Sequence, residues 1–325
     1  MISVASIVEV KNLTKRFGDI AVLRGINLSV EQGTVLGVLG PNGAGKTTAI
    51  NCLTTLLKPD SGVATIAGYD VVAQPEAVRS LIGLTGQFAA VDEVLTAREN
   101  LILFSRLLRL SGGAAKRRTE ELLTQFDLTA AADRQVKTFS GGMRRRLDLA
   151  ASIVVSPLVL FLDEPTTGLD PRSRQQLWQV VQSLKAQGIT IILTTQYLEE
   201  ADALADQIVV IDHGQVIAEG TVDELKDKVG GKFCELRLAN LEDFEQVKAL
   251  LSSIGEVIIG EAGEEGPMAN QQTDALVIAA PDGANTLTNI VLKLESAGIP
   301  LADISLRRPS LDDVFFALTG HTTKE

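Results

Sequence analysis

The sequence is short of several things. Only two of its 325 residues are cysteine, Cys52 and Cys234, and they lie far apart without metal-ligand spacing. That excludes a disulfide framework and a zinc module, and two free thiols in a reducing compartment are expected. A basic excess is also missing. Lys and Arg number 30 against 41 Asp and Glu, a net charge of −11, and the wrong balance for a nucleic-acid partner. No charged region precedes an apolar run in MISVASIVEVKNLTKRFG, so no signal peptide is expected. The most apolar stretch, LAASIVVSPLVLFL (149–162), is too short to span a bilayer and is broken by Pro157. No heptad run supports a long coiled coil. A soluble chain follows, and any membrane role would come through a partner.

What is present is ordinary globular material, 45% hydrophobic and 22% charged, with length for two or three compact units. Residues 7–39 read as strands, and 40–57 switch to a helix. GVATIAGYDV reads as a strand pair and LIGLTGQ (81–87) as a short strand. From about 92 to 155 the apolar period is helical, with RENLILFSRLLRL and RTEELLTQFDL as amphipathic segments. Strand–helix alternation then returns in LVLFLDEP, SRQQLWQVVQSLKAQG, ITIILTTQ, LEEADALADQ and IVVIDHG. The expectation is an α/β domain over 1–225 with a helical insertion over about 88–157. KDKVGGK reads as a linker, and 226–325 as a small α+β, ferredoxin-like domain of pattern βαββαβ with a polar loop through 273. SLDDVFFALTG (310–320) adds a helix capped by Ser310, with Leu311, Val314, Phe315 and Leu318 on its apolar face.

Two stretches carry chemistry. GPNGAGKTT comprises Gly40, Pro41, Asn42, Gly43, Ala44, Gly45, Lys46, Thr47 and Thr48, between an expected strand and an expected helix. It matches the phosphate-loop pattern. Glycines let backbone N–H groups wrap a phosphate, Lys46 adds a point charge, and the Thr47 hydroxyl suits Mg²⁺. LVLFLDEP (158–165) is an apolar strand ending in two acids. Asp163 fits a second Mg²⁺ anchor, and Glu164 a base that polarises water. Read alone, DEPTTG is also an acid-capped helix start.

A third stretch, FSGGMRRR (139–146), opens an amphipathic helix with Met143, Leu147, Ala150, Ala151 and Val154 on one face. Ser140 reads as its N-cap. The N–H groups of Gly141, Gly142 and Met143 then form an anion-binding end. Of the three arginines, at most one or two would approach phosphate or partner acids, and a solvated face accounts for the rest. Phe17, Gln87 and Gln196 are single-residue signals, each with an ordinary reading: core aromatic, loop glutamine, helix-start residue.

In order along the chain, Phe17, the phosphate loop, Gln87, Ser140–Gly142, Asp163–Glu164, the turn at Gly168–Asp170 and Gln196 resemble the ATP-binding cassette (ABC) ATPases over residues 1 to about 225. The resemblance implies ATP and Mg²⁺ as ligands. Phe17 would stack on adenine, and Gln87 would reach Mg²⁺ and the attacking water. Ser140, Gly141 and Gly142 would bind the γ-phosphate held by a second copy of the chain, and the Asp170 turn would cross the same interface. Gln196 would stand at the switch position. The family usually has glutamine where Met143 stands and histidine where Gln196 stands. These departures, with TTQYLEEAD, SGGMRRR and RRPSLDDVF, resemble the daunorubicin-resistance branch (DrrA-type), which includes drug exporters and exporters of mycobacterial envelope lipids.

The function implied is an ATP-hydrolysing subunit of an exporter for a hydrophobic drug or complex lipid. It would work as a pair at the cytoplasmic face of the membrane, docked on integral membrane permease subunits through residues 88–104, with no nucleic-acid partner. A non-transport regulatory ABC ATPase is the alternative. Chromosome-handling members need coiled coils, ribosome-associated members two cassettes, and repair members zinc-binding cysteines, none of which the chain offers.

Overall fold

The computed structural model describes residues 6–87, 89–228, 232–252, 254, 257–261, 274–307, 311 and 314–315. The polar loop at 262–273, part of the linker (229–231), Phe88, Ser310 and Leu318 lie outside the described residues. The chain divides into two compact units, the first ending at Val222 and the second beginning at Asp223.

The first unit holds two sheets. One is antiparallel, in the order Ile20–Glu31, Ser6–Phe17, Ser61–Ile66, Tyr69–Asp70. The other has six strands, in the order Gln215–Gly220, Gln207–Asp212, Val35–Leu39, Thr190–Thr195, Val159–Asp163, Ile82–Thr85. Five of these are parallel, and only the hairpin Gln207–Asp212 with Gln215–Gly220 is antiparallel. Parallel strands are covered on both faces, which is why VLGVL and VLFLD are buried throughout. Alternation then divides their side chains between two cores. Leu160 and Leu162 pack with the helices Ala97–Leu107, Gly112–Gln125 and Gly141–Ser152. Val159 and Phe161 join Leu36 and Val38 in a core shared with the antiparallel sheet.

The helical region lies between the parallel strands Ile82–Thr85 and Val159–Asp163, so it leaves the sheet at the end where Asp163 sits and returns at the opposite end, at Val159. Thr96 and Glu99 form a reciprocal capping box that fixes the start of the first of these helices. The apolar run 149–162 is split between the end of one helix and the strand Val159–Asp163.

The second unit is a four-stranded antiparallel sheet in the order Val257–Glu261, Asp274–Ala280, Lys232–Leu238, Leu301–Arg307. With helices Phe244–Leu251 and Ala284–Ser296 it has the ferredoxin-like strand order. Its core is Cys234, Leu236, Val247, Leu251, Leu276, Ile278, Ile290 and Leu294. Leu311, Val314 and Phe315 are buried.

Candidate nucleotide site

The strand Val35–Leu39 ends at Gly40, where a Cβ would stand 2.2 Å from the Ile211 carbonyl oxygen. The chain passes so close to its neighbour that only glycine fits. Gly45 caps the helix Lys46–Leu53 with φ 107°, and no side chain accepts from the first turn. The first-turn amides are thus left to an external acceptor, the arrangement that binds anions. Gly43, at φ 83°, has nothing within 4 Å of where a Cβ would be. Gly214 N donates to Ala44 O at 3.0 Å and holds the loop from behind. Asn42 is exposed, while Pro41, Thr47 and Thr48 are half-buried.

Lys46 is 4% exposed. Its Nζ donates to Gly40 O at 2.7 Å and Pro41 O at 3.2 Å, and lies 3.6 Å from Glu164 Oε1. Burial holds its pKa below the usual lysine value, against the pull of Glu164 and Asp163. The loop thus presents a cation ready to meet a phosphate.

Asp163 is the last residue of its strand and 4% exposed. Its Oδ1 accepts from Thr47 Oγ1 at 3.2 Å and from Thr194 Oγ1 at 2.5 Å. A buried carboxylate flanked by two hydroxyls suits a hard divalent cation. No group of three His, Cys, Asp or Glu able to hold a metal occurs among the described residues. Thr47 Oγ1 and Asp163 Oδ1, 3.2 Å apart, fit Mg²⁺, which is usually bound by one or two protein oxygens together with substrate phosphates and water.

Glu164 leaves the strand in the left-handed region, at φ 47°. Such a conformation costs about 1–3 kcal/mol and persists only where the surroundings enforce it. Here Glu164 N donates to Thr194 O at 3.1 Å and Thr194 Oγ1 at 3.0 Å, and Thr167 Oγ1 approaches Glu164 Oε2 at 3.4 Å. The two acids therefore diverge, Asp163 toward Thr47 and Glu164 toward Lys46.

Beside them lies an open groove of about 330 Å³ lined by Gln87, Gly141, Arg144, Glu164, Thr167 and Leu169, among others. Gln87 is exposed on it. Ser140 caps the helix Gly141–Ser152 by accepting from Met143 N at 3.3 Å. This corrects one expectation: the Met143 amide is committed to the cap, leaving Gly141 and Gly142 to offer theirs. Gly142 packs on the next helix, with Ser173 Oγ 2.5 Å from where its Cβ would be.

The arginine triplet departs further from expectation. Arg144 pairs with Glu93 at 2.7 Å and Arg146 with Asp127 at 3.4 Å, while Arg145 is 8% exposed. No member forms an unpartnered solvated face, because the helix is buried along Gly142, Arg145 and Leu149 as well as Leu147, Ala150 and Ala151.

Phe17 stands apart at the tip of a hairpin, 49% exposed, with Lys15 Nζ 5.7 Å from its ring. Gln196 is half-buried between Thr195 and Tyr197, in a turn where Tyr197 N donates to Thr195 Oγ1 at 2.9 Å. The Asp170 carboxylate caps the helix Pro171–Ala186, accepting from Ser173 N at 2.9 Å and Ser173 Oγ at 2.6 Å. That holds its pKa below the ordinary aspartate value.

Sequence reasoning missed Thr194, Arg145 and Glu200. Trp178 Nε1 donates to Glu200 Oε1 at 3.2 Å, and burial raises the Glu200 pKa against the pull of Thr195, Thr166 and Trp178. Thr194 had a signal, a hydroxyl pair closing the apolar strand TIILTT.

Residues 23–167 match the ABC transporter family. The daunorubicin resistance ATP-binding protein DrrA2 of Streptomyces coeruleorubidus is 52% identical over 317 residues, covering 98% of this chain and 96% of the relative. The doxorubicin resistance ATP-binding protein DrrA of Mycobacterium tuberculosis is 52% identical over 307 residues, covering 94% and 91%. Among solved structures, a dimeric ATP-binding cassette in a post-hydrolysis state with ADP and Pi is 27% identical, with a TM-score of 0.60, covering 66% of this chain and 98% of that one.

Proposed function

Because the chain belongs to the ABC transporter family, as an ATP-binding cassette ATPase, we propose that it powers export of a hydrophobic drug or complex lipid. It works as a pair, on separate integral membrane permease subunits, at the cytoplasmic face of the membrane. Relatives named for daunorubicin and doxorubicin resistance support the substrate class, and one named for Nod factor export, 36% identical, supports the direction. A dimeric relative with ADP and Pi supports the pairing. No helix among the described residues is long and apolar enough to cross a membrane.

The observation that carries the catalytic reading is the split of the acid pair. Asp163 joins Thr47, while Glu164 is turned out by φ 47° and faces Lys46. Two adjacent carboxylates thereby take different roles. The loop amides and Lys46 hold the β- and γ-phosphates, and Thr47, Asp163 and Gln87 hold Mg²⁺. Mg²⁺ held there would supply positive charge to offset the charge that develops on the phosphate oxygens. Glu164 orients a water in line with the γ-phosphorus and draws its proton. Phe17 stacks on adenine. Gln196 donates to the γ-phosphate, and its amide also accepts from water or backbone.

Across the pair, Ser140, Gly141 and Gly142 meet the γ-phosphate held by the other copy, beside the Asp170 turn. Loss of that phosphate removes the contact and loosens the pair. Residues 226–325 form an accessory unit that stabilises the pair, and residues 88–104 receive the permease.

Purification from its own membranes tests the reading. The expected result is Mg²⁺-dependent ATPase activity accompanied by polytopic membrane subunits. Hydrolysis without any membrane partner would favour a non-transport ATPase.

A further inference from the structure

The helix Gly141–Ser152 carries a buried ion pair that the reaction above does not use. Arg145 and Asp148 are 8% and 4% exposed, with Arg145 Nη1 3.7 Å from Asp148 Oδ2. Each spends its other bonds on segments outside the helix. Arg145 Nη1 donates to Gly86 O at 2.6 Å, and Nε to Pro165 O at 2.8 Å. Arg145 Nη2 donates to Asp163 O at 3.1 Å and Glu164 O at 3.2 Å. Asp148 Oδ1 accepts from Ala90 N at 2.7 Å.

One helix thus holds both sides of Gln87, at Gly86 and Ala90. It also holds the peptide on which Glu164 adopts its left-handed conformation. Only a planar fork of five donors reaches four carbonyls on two segments; an ammonium offers three donors from a single point. Packing alone does not explain the pair, since apolar side chains fill such space without the desolvation penalty of two ions.

We propose that Arg145, backed by Asp148, is a positioning residue that sets Gln87 and Glu164 relative to the Ser140–Gly142 helix start. Movement of that helix reaches both groups through one guanidinium. The inference rests on the assignment of Glu164 and Gln87 to hydrolysis. It separates two quantities: ATP affinity, set by the phosphate loop, stays the same, and turnover falls.

The test uses the full-length chain and its Arg145→Lys variant. It measures ATP Kd, kcat and melting temperature, with the double variant Arg145→Gln/Asp148→Asn alongside. The double variant leaves no lone buried charge, so it remains informative where Arg145→Lys fails to fold. A displacement of about 1 Å at reacting groups costs about 10²-fold in rate, and a loss of that order in kcat with unchanged Kd is expected in both. Wild-type kcat in either folded variant overturns the proposal, as does loss of fold in both, which makes the pair a scaffold. Failure of the wild-type chain to hydrolyse Mg²⁺-ATP that it binds overturns the underlying reading too, and is told apart because it appears without any substitution.

Discussion

The two units bury different things. The first, ending at Val222, places Lys46, Arg145, Asp148, Asp163 and Glu200 at 8% exposure or less. In the second, among the described residues, Thr286 is the only polar side chain buried to that degree. Burying an ion costs several kcal/mol unless it is paired and hydrogen-bonded. The first unit carries that cost where five charged side chains surround one sheet end. The second has an apolar core under a short antiparallel sheet. Chemistry in the first unit and assembly in the second is the division of labour this contrast supports.

The contrast breaks most readily at Lys46. Charge-assisted bonds to phosphate are worth about 1.5–3 kcal/mol each, so Lys46→Ala is expected to weaken ATP binding by about 10–10²-fold. Equilibrium titration with a fluorescent nucleotide measures it, and wild-type affinity would remove Lys46 from the site.

Gln196 comes next. A glutamine amide donates to phosphate but takes up no proton. Hydrolysis is therefore expected without a rate dependence on a group titrating in the histidine range. In Gln196→Ala turnover falls with ATP binding retained, and Gln196→His restores at least part of it. A pH–rate profile and steady-state turnover check this; undiminished turnover in the alanine variant would make Gln196 an ordinary turn residue.

Removing residues 226–325 sharpens the contrast from the other side. ATP affinity of the remaining unit is expected to stay the same while pairing or permease assembly is lost, read by binding titration and analytical ultracentrifugation.

The smallest effect is expected at Glu200. Its native pKa lies above that of the unfolded chain because of burial. Between those two values the native state holds the proton that the unfolded chain has released. Stability contributed by the neutral form is therefore lost as pH rises through that window. Glu200→Gln removes this slope, so its melting temperature should gain on the wild type as pH increases from acidic to neutral.

Much of this was legible locally. Strand–loop–helix around GPNGAGKTT and a strand ending at Asp163 follow from period and glycine spacing, because each depends on neighbours in sequence. Ser140 was legible as a cap for the same reason. Strand order was not, since crossovers separate parallel neighbours such as Val35–Leu39 and Thr190–Thr195. Arg145 stayed hidden because a single apolar face was assumed, whereas this helix is buried on two sides. Thr194 lies more than thirty positions from Asp163, and only the sheet brings their oxygens within 2.5 Å.

The central claim is that Glu164, turned away from Asp163, works after nucleotide is bound. Glu164→Gln keeps the shape and removes the charge. The account predicts ATP binding retained, a closed pair that accumulates with ATP, and turnover lower by about 10²–10⁴-fold, the usual range for losing a positioned base. Turnover at the wild-type rate in Glu164→Gln would contradict it.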